Sequence, residues 1–231
     1  MAGGRGGLPG WARPAVWLGA LAPLAAMLWL GVTGGLGANP VQEIQFRTGT
    51  AALVLLLVTL AITPVRRFTG WNAIIRLRRL VGLFAFFYVA LHAVTYFVFD
   101  QSLSPGLILQ DVRKHPRVGV GFLAFLLLIP LAVTSTDRMI RRLGGSRWAR
   151  LHQAIYLIGA LAVIHYLMIV KRDIRLPLAY AVGFVLLMAV RVAYRRADES
   201  RRARQAAAAG DPAAAPAPSL DAARAPSRVA G

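Results

Sequence analysis

Three histidines sit where a protein rarely leaves an ionisable group: inside long apolar stretches. His92 lies in L-V-G-L-F-A-F-F-Y-V-A-L-H-A-V-T-Y, and His152 and His165 lie near the two ends of L-H-Q-A-I-Y-L-I-G-A-L-A-V-I-H-Y-L-M. A buried imidazole can ligate a metal, relay a proton or bond a neighbouring helix. The choice among these depends on what else is buried. All nine acids fall between or after the apolar stretches: Glu43, Asp100, Asp111, Asp137, Asp173, Asp198, Glu199, Asp211 and Asp221. No carboxylate is therefore expected beside the histidines at mid-depth. There are no cysteines, which removes disulfides, thiolate-held metal clusters and the covalent haem attachment that needs paired cysteines. The fourth histidine, His115, stands in K-H-P-R between two apolar stretches and reads as a solvated loop residue with no partner.

The stretches that must position these imidazoles are membrane spans. The 231 residues are 57% hydrophobic and 16% charged, and several runs approach the ~20 apolar residues needed to cross a hydrocarbon core. Six spans are expected, at roughly 16–33, 48–63, 80–99, 118–135, 151–170 and 176–194. The runs are continuous rather than alternating, so the spans are helices and the fold is an all-α integral membrane six-helix bundle. Segment 1–15 precedes the bundle of 16–194. The first span follows Arg5 and Arg13 like a leader, but its apolar run is longer than a leader core, and it is read as a retained span.

The net charge of +18 would suggest nucleic acid in a water-soluble protein. Here topology accounts for it, and no nucleic-acid partner is expected. With a cytoplasmic N-terminus, 20 of the 27 Lys and Arg residues fall on the inner side. The positive-inside bias thus puts both termini in the cytoplasm. Residues 195–231, rich in Arg, Ala and Pro, read as a disordered cytoplasmic tail whose first charges either stop transfer or touch anionic membrane lipid.

Depth then pairs two of the histidines. His92 lies 8 residues before Asp100, and His165 lies 6 before Lys171. At ~1.5 Å per residue both sit about 9–12 Å from the outer ends of co-directional helices. Two imidazoles facing each other at one depth, with no acid nearby, suit bis-histidine ligation of a haem iron. The plain alternative is a hydrogen bond between helices. His152, 13 residues before His165, lies ~20 Å away toward the inner face on a continuous helix. It suits a second cofactor site whose other ligand is unassigned, because the third span offers Arg78 and Arg79 at that depth. Gly82 and Gly159 would let a flat ring approach but are equally explained by close helix packing. Phe84, Phe86, Phe87, Tyr88, Tyr96 and Phe97 read as core, and Pro130 as a kink.

Several stretches resemble the MsrQ (YedZ) family, within the wider ferric-reductase-like membrane domains. They are G-G-L-G-A-N-P-V-Q-E-I (34–44), T-G-T (48–50), I-T-P (62–64), R-L-R-R-L-V-G-L (76–83), L-H-A-V-T-Y (91–96), L-A-V-T-S-T (131–136), L-G-G-S-R-W-A-R-L-H (143–152) and I-H-Y-L-M-I-V-K (164–171). Together they span about 34–194, and the arginine-rich tail lies outside the pattern. The resemblance implies a haem b subunit, carrying one haem or two, in a bacterial inner membrane. It implies His92, His152 and His165 as iron ligands. It also implies a periplasmic molybdenum-cofactor reductase (MsrP-like) as the electron acceptor, which repairs oxidised methionines. The implied donor is the quinone pool, or NADH through a cytosolic flavin reductase and bound FMN, and no residue is assigned to FMN or quinone. Two other classes remain open: a proton-coupled transporter relaying through histidine, and a membrane anchor without redox function.

Overall fold

The computed structural model describes residues 7–170 and 173–208, and every regular element among them is helical. Six segments are long and apolar enough to cross a membrane: Ala12–Val32, Pro40–Thr69, Asn72–Asp100, Pro116–Val133, Gly145–Ile169 and Arg175–Ala208. The elements are α1 (Ala12–Val32), α2 (Pro40–Thr69), a 3₁₀ turn (Asn72–Leu77), α3 (Arg78–Thr95), a π-helical turn (Tyr96–Asp100), α4 (Pro105–Lys114), α5 (Pro116–Val133), α6 (Asp137–Leu143), α7 (Gly145–His152), α8 (Ala154–Ile169) and α9 (Arg175–Ala208).

The spans begin and end where local chemistry allows. Asn39 caps α2 by accepting from the Gln42 N–H at 3.1 Å, with Pro40 in the first helical position. Gly70 closes the same helix in a left-handed conformation at φ 72°. Cap to cap, α2 is 30 residues long. It absorbs 40–47 and 64–69, which hydropathy alone leaves as loops. Pro64 lies inside it, near the C-terminal end. The connection after α3 also holds a helix: Ser104 caps α4, with Pro105 in its first position.

The core lies where α2, α3, α5 and α8 meet, around Leu56, Ala85, Leu128, Leu131 and Ile158. A second cluster joins Met27 of α1 to Ala51 and Ala52 of α2 and Tyr88 of α3. Tyr88 is fully buried, and its hydroxyl donates to the Ala20 C=O at 2.6 Å and accepts from the Leu24 N–H at 3.1 Å. Those two backbone groups are partners in an uninterrupted helix, so the phenol is inserted into the α1 ladder beside Pro23.

The structure refines the fifth span and corrects the reading of the tail. The fifth span runs as one segment, Gly145–Ile169, but tightens at Gln153, which keeps helical dihedrals (φ −68°, ψ −22°) while its N–H bonds the Arg150 C=O three residues back at 3.1 Å. Residues 195–208 are helical, as the continuation of α9, because Ala, Arg, Glu and Gln favour helix whether or not they pack. The remainder of the tail lies outside the described residues. The chain also divides into two compact units, Met1–Leu187 and Met188–Gly231, and the site belongs to the first.

Candidate functional site

The helices bring His92 of α3 and His165 of α8 opposite one another, with their rings edge-on. Their ring centres are 6.3 Å apart and the planes stand at 88°. A metal–imidazole bond is ~2 Å long, so one ion shared by two imidazoles would set their ring centres roughly 6 Å apart. The observed spacing fits that requirement.

Each ring is held in the same way. The His92 Nδ1 lies 2.9 Å from the Gln45 carbonyl oxygen, and the His165 Nδ1 lies 2.7 Å from that of Arg117. A carbonyl only accepts, so Nδ1 carries the proton in both rings and the neutral imidazole keeps its lone pair on Nε2. This is the tautomer and orientation a metal ligand needs, with the second nitrogen anchored on backbone. The ring can reach those carbonyls because a glycine stands four residues further along each helix. A Cβ on Gly49 would lie 3.2 Å from His92 Cε1, and one on Gly121 would lie 2.5 Å from His165 Cε1. Gln45 with Gly49 on α2, and Arg117 with Gly121 on α5, form matching notches for the two imidazoles. No side chain fits in the Gly121 notch without displacing the ring.

Both histidines line a cavity of about 860 Å³. Its deep walls are apolar, with Leu56, Ala85, Val89, Leu128 and Ile158, and Phe97, Phe122 and Phe125 stand along one side. Its mouth is polar, with Asn39, Gln42, Glu43, Asp100, Gln101, Asp111 and Arg117. Ligand-ready nitrogens, an apolar slot and a polar rim suit a large flat macrocycle with a central metal and acidic side arms. Among the mouth residues Arg117 supplies a cation for such acids.

His152 is elsewhere and does not line this cavity. Its Nδ1 faces the Trp148 carbonyl of its own helix at 3.1 Å, and its ring stacks on the Trp148 indole at 4.0 Å. Its Nε2 is 3.4 Å from Ser135 Oγ, which already donates to the Leu131 C=O at 2.6 Å. That contact is weak, and the Leu131 C=O also stands within hydrogen-bonding reach of the His152 ring. The Trp148 indole N–H is tied to the Thr134 C=O at 3.0 Å. Arg79, one of the two cations considered for an inner site, pairs with Asp137 at 2.5 Å.

His115 departs from expectation because it has a partner. Its Nδ1 meets Asp111 Oδ1 at 2.6 Å. Asp111 Oδ2 accepts from the Tyr96 hydroxyl at 2.7 Å and from Gln101 Nε2 at 3.2 Å. The Tyr96 hydroxyl first, then His115 and the Arg117 charge, hold the Asp111 carboxyl below the usual carboxylate range. The glycines singled out in the sequence serve packing instead. A Cβ on Gly159 would strike Phe184 at 2.7 Å, and one on Gly82 would touch Thr59 at 3.5 Å. Gly49 lies in the T-G-T stretch already quoted, whereas Gly121 carries no sequence signal beyond being a glycine in an apolar helix.

Comparison with known proteins identifies the family. Residues 48–164 match the family described as ferric reductase like transmembrane component, and the class is thereby defined: a helical membrane domain of the ferric-reductase type. The chain is 46% identical over 200 residues to the protein-methionine-sulfoxide reductase heme-binding subunit MsrQ of Ralstonia nicotianae, covering 86% of this chain and 90% of that one. It is 46% identical to the protein of the same name from Rhodospirillum rubrum, over 82% of this chain and 92% of the other. Against that from Caulobacter vibrioides it is 48% identical, over 77% and 84%. The chain belongs to the MsrQ family.

Proposed function

We propose that this chain is a haem b membrane subunit that carries electrons across a bacterial inner membrane to a periplasmic methionine sulfoxide reductase. The observation that carries the reading is the His92–His165 pair, 6.3 Å apart, with both Nδ1 atoms on backbone carbonyls. The relatives, named as heme-binding subunits, support the same reading.

Haem would supply a one-electron carrier in a layer through which no side chain conducts. The work of the chain is to hold it. His92 and His165 would bind the iron through Nε2, and their bonds to the Gln45 and Arg117 carbonyls make each ring a stronger donor. The apolar wall from Leu56 to Ile158 excludes water. Arg117 at the mouth would pair with a propionate. His152 would ligate a second haem nearer the cytoplasmic face, swinging from its Ser135 contact while keeping the Trp148 carbonyl. His152→Ala should then lower the haem content per chain and leave the outer haem in place. An unchanged content would remove His152 from the ligand set.

The acceptor is a molybdenum-cofactor enzyme that reduces methionine sulfoxide in periplasmic proteins. The donor is quinol, or NADH through a cytosolic flavin reductase with FMN. The positive-inside bias favours both termini in the cytoplasm, which alkaline phosphatase fusions at the two ends should report as inactive. An active fusion at either end would reverse that assignment. Function is tested in proteoliposomes with the donor enclosed and the acceptor enzyme and methionine sulfoxide outside. Sulfoxide reduction should depend on the chain, and turnover equal to that of empty vesicles would refute the conduit.

A further inference from the structure

The mouth of the cavity holds a polar cluster that the ligand set does not explain. Asp111 sits in the last turn of α4 and reaches two different elements. One oxygen takes the Tyr96 hydroxyl at 2.7 Å, and Tyr96 lies one turn beyond His92 on the same helical segment. The other takes His115 Nδ1 at 2.6 Å. His115 is the extended residue between α4 and α5, and its own C=O accepts from the Val118 and Gly119 N–H groups at 2.9 and 3.2 Å. It thereby caps the first turn of α5, the turn that carries the Arg117 carbonyl to which His165 is bound at 2.7 Å. One carboxylate therefore ties the segment that bears His92 to the turn that orients His165.

We infer that Asp111 is a positioning residue: through Tyr96 on one side and His115 on the other, it sets the separation and tilt of the two imidazoles. The inference rests on the haem reading above and adds a residue to it. Pure packing does not account for the arrangement, since α4 contributes no buried residue to the core. What α4 brings to the site is this one charged acceptor. The carboxylate form suits the task, since it accepts two directed bonds on separate oxygens and Tyr96, Gln101 and His115 can all donate. Asn would keep one acceptor and lose the other.

The test uses the purified full-length chain with its haem, comparing wild type with Asp111→Asn, Asp111→Ala and Tyr96→Phe. Carbon monoxide binding to the dithionite-reduced protein and the low-temperature spin-state spectrum are the readouts. A haem clamped between two imidazoles resists carbon monoxide and is low-spin. If Asp111 positions the pair, Asp111→Asn and Tyr96→Phe each retain haem but gain a carbon-monoxide-reactive, high-spin fraction, and Asp111→Ala gains more. Loss of folding in Asp111→Ala leaves the other two variants to decide. Variants with altered melting temperature but wild-type spin state and carbon monoxide resistance overturn the inference and leave Asp111 a structural residue. A wild-type chain without haem is a different failure, that of the underlying reading.

Discussion

At the scale of single residues, the central feature is a repeated device: a backbone carbonyl, a glycine four residues later, and an imidazole laid across the gap. The two copies are not equally tight. A Cβ at Gly121 would come 2.5 Å from the His165 ring, whereas at Gly49 the nearest approach to His92 is 3.2 Å. Gly121→Ala should therefore abolish most bound haem, while Gly49→Ala should lower it by a smaller factor, both read as pyridine haemochrome per chain. Equal retention in both variants would mean the notches do not control the rings. Asp111 gives a second, pH-dependent expectation. Its carboxyl is held below its ordinary value, so its contribution to stability is complete above the unfolded value of ~3.9 and is lost as pH falls through the lower folded value. Wild type should melt higher than Asp111→Asn at pH 6 to 8, and the two should converge as the medium is acidified below about pH 4. The histidines were legible in the sequence because ionisable groups in apolar runs are conspicuous, and counting residues from the loop ends put two of them at one depth. The notches were not. A glycine in a membrane helix ordinarily signals helix packing, as Gly159 and Gly82 indeed show, and nothing local distinguishes Gly121 from them. His115 misled for a similar reason: its partner Asp111 is on the preceding turn, but whether that turn is helical depends on the Ser104 cap and Pro105.

At the scale of elements, hydropathy located all six spans and misjudged their ends. A span's apolar run records where lipid is, whereas a helix's length records where its caps are, and α2 extends past its apolar run at both ends because Asn39 and Gly70 cap it there. The tightened turn at Gln153 was equally hidden, since apolar residues on both sides read as one stretch. Inside the bundle, α1 is fastened to its neighbours by few buried residues: Ala12, Ala20 and Met27. Tyr88 is its main polar tie. Tyr88→Phe removes a buried hydroxyl that both donates and accepts, and should cost about 1–3 kcal/mol. The measurement is thermal unfolding in detergent. A loss below a few tenths of a kcal/mol would show that Ala20 and Leu24 simply re-form their own bond. The haem spectrum should be unaffected, because Tyr88 does not line the cavity.

At the scale of the molecule, α2, α3, α5 and α8 share a core, and the same four helices supply most of the cavity wall, joined by the turn at 36–39 and by Asp111 of α4. The division of labour is visible in the walls: carbonyls and glycines on α2 and α5, imidazoles on α3 and α8. That alternation holds the two ligands against each other across the bundle. A proton relay would need a titratable chain continuing from the pair into the core, and the wall there is Leu56, Ala85, Leu128 and Ile158. An anchor alone would need no matched tautomers. Everything proposed for this chain requires that His92 and His165 hold one haem together. The direct measurement is the dithionite-reduced minus oxidised spectrum of the purified chain, with haem counted per chain, for wild type, His92→Ala and His165→Ala. The account predicts a low-spin b-type spectrum in wild type and loss of the same haem in either variant. A haem-free wild type from cells with ample haem, or haem retained unchanged in both variants, would contradict it.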